Sequence, residues 1–226
     1  MTRMPSARLV DPDHLASLAA RASGLVSAHR RTLLGIAGAP GAGKTTLAEE
    51  LLDVLRAAPP SGLGPDAVAH LPMDGFHLAD VQLERLRLLG RKGAPETFDG
   101  HGYRAVLDRI LMDDGHTVFV PGFERRLEQP LAAAIAIEPE ARLVITEGNY
   151  LLLDEEPWSQ LPDRFSEVWF VDLTDDERLR RLTARHVEFG KPPAAAQAWA
   201  LGPDQANADR VVSSRKRADL VITLAG

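Results

Sequence analysis

The sequence predicts an α/β fold in which a mostly parallel central sheet of about five strands forms the middle of three layers, with helices on both faces. Two observations support this prediction. Short apolar runs are separated by stretches with helical patterning, and such near-continuous apolar strands are typical of parallel sheets buried on both sides. A glycine-rich turn also joins the first run to a helix. The runs cover residues 33–37, 67–73, 143–146, 168–171 and 220–224.

One domain is expected over residues 1–226, because a chain of 226 residues suits one sizeable α/β core better than two. Residues 11–30 begin with candidate helix caps at Asp11 and Asp13 and carry apolar side chains at helical spacing. They predict an amphipathic leading helix.

The segments between the strands predict helices and loops. Residues 46–56, 78–89 and 102–112 are predicted to be helical. Residues 90–100 are punctuated by Gly and Pro and predict part of a binding rim. Residues 191–203 are biased toward Ala and Pro, which favours a mobile surface excursion.

Composition and charge restrict the classes of function. The chain has 26 Lys and Arg against 32 Asp and Glu, a formal net charge of −6, so broad attraction to nucleic acid or to an anionic membrane is not expected. It has no cysteine, which excludes disulfides, a thiolate nucleophile and a zinc–thiolate site. Residues 1–10 lack the apolar run of a signal peptide, and no stretch reaches the roughly 18 apolar residues of a membrane span. A soluble, cytoplasmic protein is expected, and homodimer formation stays open.

The glycine-rich turn is the strongest motif in the chain. Residues 38–45 read Gly-Ala-Pro-Gly-Ala-Gly-Lys-Thr and match Gly-x-x-x-x-Gly-Lys-[Ser/Thr] in full, between a strand and a helix. Backbone N–H groups and the helix N-terminus favour a phosphate chain there, Lys44 is expected to reach the β- and γ-phosphates, and Thr45 to ligate Mg²⁺. A merely structural turn is disfavoured by the Lys and Thr at the required offsets, and the Gly-x-Gly-x-x-Gly dinucleotide pattern is missing. The predicted ATP-binding residues of this loop are Gly38, Ala39, Pro40, Gly41, Ala42, Gly43, Lys44, Thr45 and Thr46.

Two acidic residues follow predicted strands, at the edge of the sheet where ligands bind. Asp74 can orient or deprotonate an attacking hydroxyl, and the alternative is a cap for the helix that starts near Leu78. Glu147 occupies the position of an acidic residue that holds Mg²⁺ directly or through water, and the alternative is a surface glutamate. His77 and His101 are weaker candidates for substrate contact.

Three arginines lie on one face of a predicted helix. Arg178, Arg181 and Arg185 are spaced i, i+3 and i+7, so their guanidinium groups could clamp a transferring phosphoryl group as a lid closes. Acidic residues precede them at 175–177, and a solvated helix with salt bridges is the alternative.

Taken together, these motifs resemble those of the uridine kinase, phosphoribulokinase and bacterial pantothenate kinase superfamily of P-loop proteins. The resemblance covers most of the chain, from about residue 33 to residue 222. More closely, the chain is similar to the bacterial nucleoside/nucleotide kinase family, some members of which are named as kinases of fructose-transport systems. Besides the phosphate loop, the resemblance is carried by residues 73–77, 95–99, 120–125, 146–150, 178–181 and 207–222.

The resemblance implies roles for several positions. It implies that Asp74 is the catalytic carboxylate, that Glu147 lies beside Mg²⁺, and that the three arginines belong to a lid over the phosphates, roughly residues 175–203. Uridine kinases usually have Pro-x-Tyr-Asp where this chain has Pro-Gly-Phe-Glu at 121–124, which argues against uridine as the substrate. His186 also replaces an acidic residue after the lid arginines.

The sequence therefore predicts an ATP-dependent phosphotransferase that acts on the alcohol group of a nucleoside, a sugar or a pantothenate-like metabolite. Asp74, Lys44 and Arg181 are the predicted catalytic residues, and Arg178 and Arg185 are predicted to bind ATP. A nucleotide hydrolase, or a regulatory protein that senses nucleotide without a small-molecule acceptor, is the alternative. The predicted substrate-binding residues are Asp74, His77, Phe98, Tyr103, Phe123, Glu124 and Arg125.

Overall fold

The central sheet has five strands, all parallel. It is seen in a computed structural model that describes residues 9–27 and 29–224. The predicted α/β class with a parallel sheet is confirmed, and each of the five predicted runs forms a strand. In their order across the sheet, the strands are β2 (Val68–Pro72), β5 (Leu143–Glu147), β1 (Thr32–Gly38), β6 (Glu167–Asp172) and β7 (Leu220–Thr223).

Helices cover both faces of this sheet because successive side chains of its strands point to opposite sides. In β1, Leu34 and Ile36 pack on one face with the helices that begin at Pro12 and Lys44. Leu33 and Ala37 pack on the other face with the helices that begin at Gly100 and Gln205. None of the described helices is both long and apolar enough to cross a lipid bilayer. The helices are α1 (Pro12–Gly24), α2 (Lys44–Ala57), α3 (Asp80–Leu86), α4 (Gly100–Met112), α5 (Asp175–Glu188), α6 (Pro193–Trp199) and α7 (Gln205–Ser213).

The leading helix is shorter than predicted. Asp11 caps it, accepting a hydrogen bond from the His14 N–H at 2.9 Å, but the helix ends at Gly24 and not at residue 30. Glycine is a poor helix former, and the chain after it turns so that Leu25 and Val26 pack against the core. Residue 28, within the predicted helix, lies outside the described residues, as do residues 1–8 and 225–226.

A two-stranded antiparallel hairpin was not predicted. It consists of β3 (Val118–Glu124) and β4 (Gln129–Ile137), with an irregular register between Val120 and Gly122. The sequence signal is weak because Pro and Gly interrupt β3 and alanines dominate β4, and these residues are depleted in strands. The hairpin supplies one wall of the functional site.

Residues 191–203, predicted to form a mobile surface excursion, are largely exposed but helical over most of their length. The segment forms α6 and then a π-helical turn, Ala200–Asp204, beside α5. Ala196 and Ala200 are fully buried, because their small side chains let the backbone of this segment pack closely against its neighbours. The predicted helix at 78–89 is likewise shorter, since Arg87 adopts a left-handed conformation at φ 60° and ends α3.

Candidate functional site

The phosphate loop joins β1 to α2 and wraps around the N-terminus of α2. Gly41 and Gly43 have φ values of 80° and 100°, a region that favours glycine. Lys44, the first residue of α2, donates a hydrogen bond from Nζ to the Ala39 carbonyl oxygen at 3.1 Å. Burial lowers the pKa of Lys44 to about 8, although nearby carboxylates oppose the shift. A buried ammonium of this kind favours an anionic ligand.

Helix α5 packs directly on this loop. A Cβ atom at Gly41 would lie 2.6 Å from Leu182 Cγ and 3.0 Å from the Arg178 carbonyl oxygen, so only glycine permits the contact. Leu9 covers the other side of the loop, because a Cβ atom at Gly43 would lie 2.8 Å from one of the Leu9 methyl carbons. The loop is therefore held between α5 and the segment that precedes α1.

Two cavities meet at the phosphate loop. The larger, about 520 Å³, is lined by Lys44, Thr45, Asp74 and Glu147 together with the hairpin and the rim. The smaller, about 190 Å³, lies beside the loop, and Thr46 and Arg181 are among its lining residues. The residues that line both cavities are Gly41, Lys44, Thr45 and Arg185. A phosphate held at this shared wall would face both chambers.

Asp74 lies in a 3₁₀ turn, Met73–Phe76, directly after β2. Its Oδ2 atom accepts a hydrogen bond from Arg125 Nη2 of the hairpin at 2.5 Å. Burial raises the pKa of Asp74, but the positive charges around it, that of Arg125 above all, outweigh burial and lower the pKa below its usual value. The carboxylate is therefore ionised at neutral pH. It does not cap α3, whose N-cap residue is Ala79.

The approach of the hairpin to Asp74 depends on Gly75. A Cβ atom at this position would lie 2.2 Å from the Pro121 carbonyl oxygen and 2.7 Å from its carbon, closer than any side chain can stand. Glycine is thus required for β3 to pack against the Asp74 turn. This packing brings Arg125 to Asp74.

Glu147 ends β5 and is 3% exposed. Its Oε1 atom accepts a hydrogen bond from Thr45 Oγ1 at 3.1 Å, and it forms no ion pair within the described residues. Burial, and then the charge of Asp74, raise the pKa of Glu147 above its usual value. A buried carboxylate beside a hydroxyl, with no cationic partner, fits a small hard cation such as Mg²⁺.

The remaining acidic and imidazole groups do not build a larger metal site. In the described part of the chain, no group of three or more His, Cys, Asp or Glu side chains is placed to hold a metal ion. Magnesium bound with nucleotide usually takes only one or two protein carboxylates and completes its shell with phosphates and water. Thr45 and Glu147 match that smaller requirement.

His77 lies in an aromatic cluster on the cavity wall. Its ring centroid is 3.9 Å from that of Phe98 and 4.8 Å from that of Phe123. Its Nδ1 atom lies 2.8 Å from the Asp74 carbonyl oxygen, and burial lowers its pKa below the usual value. His101, the other weak histidine candidate, is exposed on α4 and does not line the cavity.

Two predicted substrate contacts need correction. Tyr103 is fully buried in the core, where its hydroxyl lies 2.6 Å from Thr146 Oγ1, and it does not line the cavity. Glu124 does not line it either: its Oε1 atom accepts a hydrogen bond from the Arg126 N–H at 3.0 Å. Glu128, after the turn of the hairpin, faces the cavity instead. A motif match does not state which way a side chain points from its helix or strand.

The three predicted lid arginines differ in their surroundings. Arg178 is fully buried and bonds to Asp175 and Gln205, so it supports the fold and lines neither cavity. Arg181 lines the smaller cavity but is paired with Glu177 at 2.6 Å. Arg185 lines both cavities and has no carboxylate partner within ion-pair distance among the described residues. Burial, and then the charge of Arg125, lower its pKa, which favours an incoming anion.

Sequence reasoning missed several groups on the cavity wall. Lys92 of the rim bridges Asp80 at 2.6 Å and the Glu128 carbonyl oxygen, which fastens the hairpin to α3. His186 pairs with Asp204 at 2.7 Å across α5 and the π-helical turn. The prediction of a binding rim at 90–100 identified the segment but not these contacts. The other lining residues that were missed are Leu89, Asn149, Phe189, Lys191, Trp199 and Asn207.

Known proteins resemble this chain over most of its length. A protein of Aspergillus versicolor described as "ATP-dependent kinase-like protein notR'" is 38% identical over 152 residues, 63% of this chain and 88% of that protein. A Schizosaccharomyces pombe protein described as "Putative uridine kinase C227.14" is 30% identical over 174 residues, 75% of this chain and 72% of that protein. The chain belongs to the uridine kinase superfamily of P-loop kinases. No family model matches it.

A solved structure is similar to this P-loop kinase over almost the whole fold. The crystal structure of a "putative fructose transport system kinase" from Silicibacter sp. TM1040 matches with a TM-score of 0.82 and 36% identity, covering 92% of this chain and 98% of that one. The resemblance inferred from the motifs is therefore confirmed, and the chain is a kinase-like P-loop protein of the ATP-dependent type.

Proposed function

We propose that the protein is a phosphotransferase that moves the γ-phosphate of ATP to an alcohol group of a small metabolite. The observation that carries the proposal is that Lys44 and Asp74 line one cavity. Lys44 belongs to the loop suited to the phosphates of the donor, and Asp74 is a carboxylate suited to the hydroxyl of an acceptor. Hydrolysis needs room only for water, whereas about 520 Å³ accommodates a metabolite.

The phosphates of ATP bind in this proposal along the phosphate loop. The loop N–H groups and the N-terminus of α2 contact the phosphate oxygens, and Lys44 neutralises charge at the β- and γ-phosphates. Arg185 and Arg181 approach from α5, and Arg185 is the better placed because it lines both cavities. These cations stabilise the charge of the transferring group as the bond to the leaving oxygen breaks. Residues 175–203 act as the lid, within one kinase domain.

Asp74 positions the acceptor hydroxyl. Because Arg125 holds its pKa low, the carboxylate is ionised but a weak base, so it orients the hydroxyl first and takes the proton late, as the new oxygen–phosphorus bond forms. The proton then leaves to solvent with the product. Positioned acid–base groups of this kind contribute about 10²- to 10⁴-fold.

Thr45 and Glu147 would hold Mg²⁺ with the nucleotide. When bound, the ion supplies positive charge that neutralises the β- and γ-phosphate oxygens. The buried Glu147, which forms no ion pair with any described residue, supports this assignment, because a cation there would offset the cost of its ionisation. The acceptor would lie among Asp74, His77, Phe98, Phe123 and Arg125, which line the same cavity.

The experiment is a measurement of ADP release by the purified protein with MgATP, with and without added alcohols. Nucleosides, sugars and pantothenate are tested as acceptors, with the Lys44→Ala variant as the inactive control. Release that depends on one class of acceptor, and is lost in the variant, supports the proposal. Release that is independent of every acceptor identifies a nucleotide hydrolase. ATP binding without any release identifies a regulatory protein that only senses nucleotide.

A further inference from the structure

One polar side chain in the cavity has hydrogen-bonding groups that the protein does not use. Asn207 of α7 is 5% exposed and lines the cavity. Within residues 9–27 and 29–224, its side-chain amide makes no hydrogen bond. Its nitrogen and oxygen are not among the fully buried polar atoms that lack a partner, so they reach the open cavity, where an amide can donate and accept at once. Asn207 is therefore suited to a ligand with both kinds of group.

The ring of His77 offers a second hydrogen-bonding atom, Nε2, which can only accept. A carbonyl oxygen can only accept, so the hydrogen bond to the Asp74 carbonyl fixes the proton of His77 on Nδ1. Nε2 then carries a lone pair and accepts a hydrogen bond. None of the described residues donates to Nε2, and the ring borders the cavity. The site thus presents an acceptor beside the carboxylate of Asp74.

The aromatic rings of the wall leave few faces on which a planar base could stack. His77 fills the space between Phe98 and Phe123, at centroid distances of 3.9 and 4.8 Å. The Arg125 guanidinium lies over Phe123, 5.1 Å from its ring centroid. The Lys191 ammonium lies over Trp199, 5.0 Å from its ring centroid. Bases are usually held by stacking between or upon exposed aromatic faces. Among the described lining aromatics, only Phe189 has neither a ring nor a cation against it.

From these contacts we infer that the acceptor is a sugar or a related polyol, with Asn207 and His77 Nε2 as the residues that read its hydroxyl groups. The inference rests on the proposed kinase function and adds the chemical class of the acceptor. Every hydroxyl of a polyol both donates and accepts, which matches the amide of Asn207 and the lone pair of His77. One hydroxyl lies at Asp74, and a neighbouring hydroxyl donates to His77.

The first test compares acceptors by ADP release under MgATP. The polyol panel is D-ribose, D-glucose, D-fructose and D-mannitol, and the nucleoside panel is uridine, cytidine and adenosine. We expect kcat/KM for the best polyol to exceed that for every nucleoside. A nucleoside that is phosphorylated better than all polyols overturns the inference and leaves the kinase function intact. Transfer to no member of either panel counts against both.

The second test examines the two residues with the best polyol. Asn207→Leu keeps the volume and His77→Phe keeps the ring, and each removes its hydrogen bond. Each variant leaves one hydroxyl of the bound polyol without its hydrogen bond. We therefore expect KM for the polyol to rise about 10- to 100-fold in each variant, with ATP affinity unchanged. His77→Gln, which retains an acceptor near Nε2, should recover part of the loss. His101→Phe, on the exposed face of α4, is the matched control.

Deoxy analogues of the polyol separate recognition from packing. The wild-type protein should lose affinity for the analogue that lacks the hydroxyl next to the phosphorylated one, and His77→Phe should lose nothing further with that analogue. If His77→Phe and Asn207→Leu leave KM for the polyol unchanged while circular dichroism and Tm show a folded protein, the inference is wrong.

Discussion

Arg125 Nη2 lies 2.5 Å from Asp74 Oδ2, so the hairpin and the turn after β2 meet through one ion pair at the floor of the cavity. The pair joins a residue that the motif analysis placed at the catalytic position to one that it placed only among substrate contacts. It also keeps Asp74 ionised without making it a strong base, because an opposite charge at this distance favours the carboxylate.

Removing the charge of Arg125 should change the pH dependence of the reaction. Arg125 lowers the pKa of Asp74, so Arg125→Gln should raise that pKa. Transfer needs ionised Asp74, and the acid limb of kcat/KM for the acceptor should therefore move to higher pH by about one unit or more. Arg126→Gln, a change at the exposed neighbouring arginine, should leave the limb in place. An unmoved limb in Arg125→Gln would contradict the role of the pair.

Asp74→Asn should reduce kcat by about 10²- to 10⁴-fold while ATP still binds. The amide keeps the shape of the side chain but cannot take the proton, and the phosphate loop is untouched. Rapid-quench turnover and titration with a fluorescent ATP analogue measure the two properties separately. Asp154→Asn, at an exposed position, is the control. Full turnover on the true acceptor in Asp74→Asn would remove Asp74 from the mechanism.

Glu147→Gln should stabilise the metal-free protein at alkaline pH and abolish magnesium-dependent turnover. Burial raises the pKa of Glu147, so the folded state favours its protonated form, and stability falls as pH rises through that raised pKa. Glutamine avoids the cost of a buried charge and can still accept the Thr45 hydrogen bond. We therefore expect the free energy of unfolding to rise by on the order of 1 kcal/mol at pH 8 in EDTA. Urea unfolding measures it, with Glu140→Gln as the exposed control. A loss of stability at pH 8 would show that Glu147 is compensated in some other way.

Gly75→Ala should displace the hairpin from the Asp74 turn. Its Cβ atom would stand 2.2 Å from the Pro121 carbonyl oxygen, and neither backbone can yield cheaply. We expect a loss of about 1–3 kcal/mol in unfolding free energy and weaker binding of the acceptor, with ATP affinity retained. Gly64→Ala is the matched control, because a Cβ atom there meets nothing within 4 Å. Equal stability of the two variants would refute the packing argument.

The lid arginines should separate into structural and functional residues. Arg178→Gln should lower Tm, because Arg178 is buried and bonds to Asp175 and Gln205. We expect a loss of about 1–3 kcal/mol in the free energy of unfolding. Arg185→Gln should leave Tm nearly unchanged and reduce kcat by about 10²-fold or more, because its guanidinium faces both cavities without a partner among the described residues. Differential scanning fluorimetry and turnover assays on both variants test this, and the opposite pattern would reverse the assignments.

Much of the fold could be predicted because each parallel strand is a local apolar run. The phosphate loop was also predictable, since its function resides in backbone N–H groups and two adjacent side chains that one short segment supplies. The hairpin was not predictable in this way. Its alanines and its Pro-Gly step oppose strand propensity locally, and it forms because its inner side packs on the core through Val118, Val120 and Ile137.

The sequence by itself determined the parallel sheet, the phosphate loop and the carboxylates at the strand ends, because strand burial and strand ends are local properties that fix where those groups stand. Only the tertiary structure decided that Asp74 pairs with Arg125, that Tyr103 is a core residue, and that Asn207 enters the cavity. These relationships join residues far apart in the chain. Which side chains meet across them depends on how the hairpin, the lid and α7 pack against the sheet, and no spacing of residues encodes that packing.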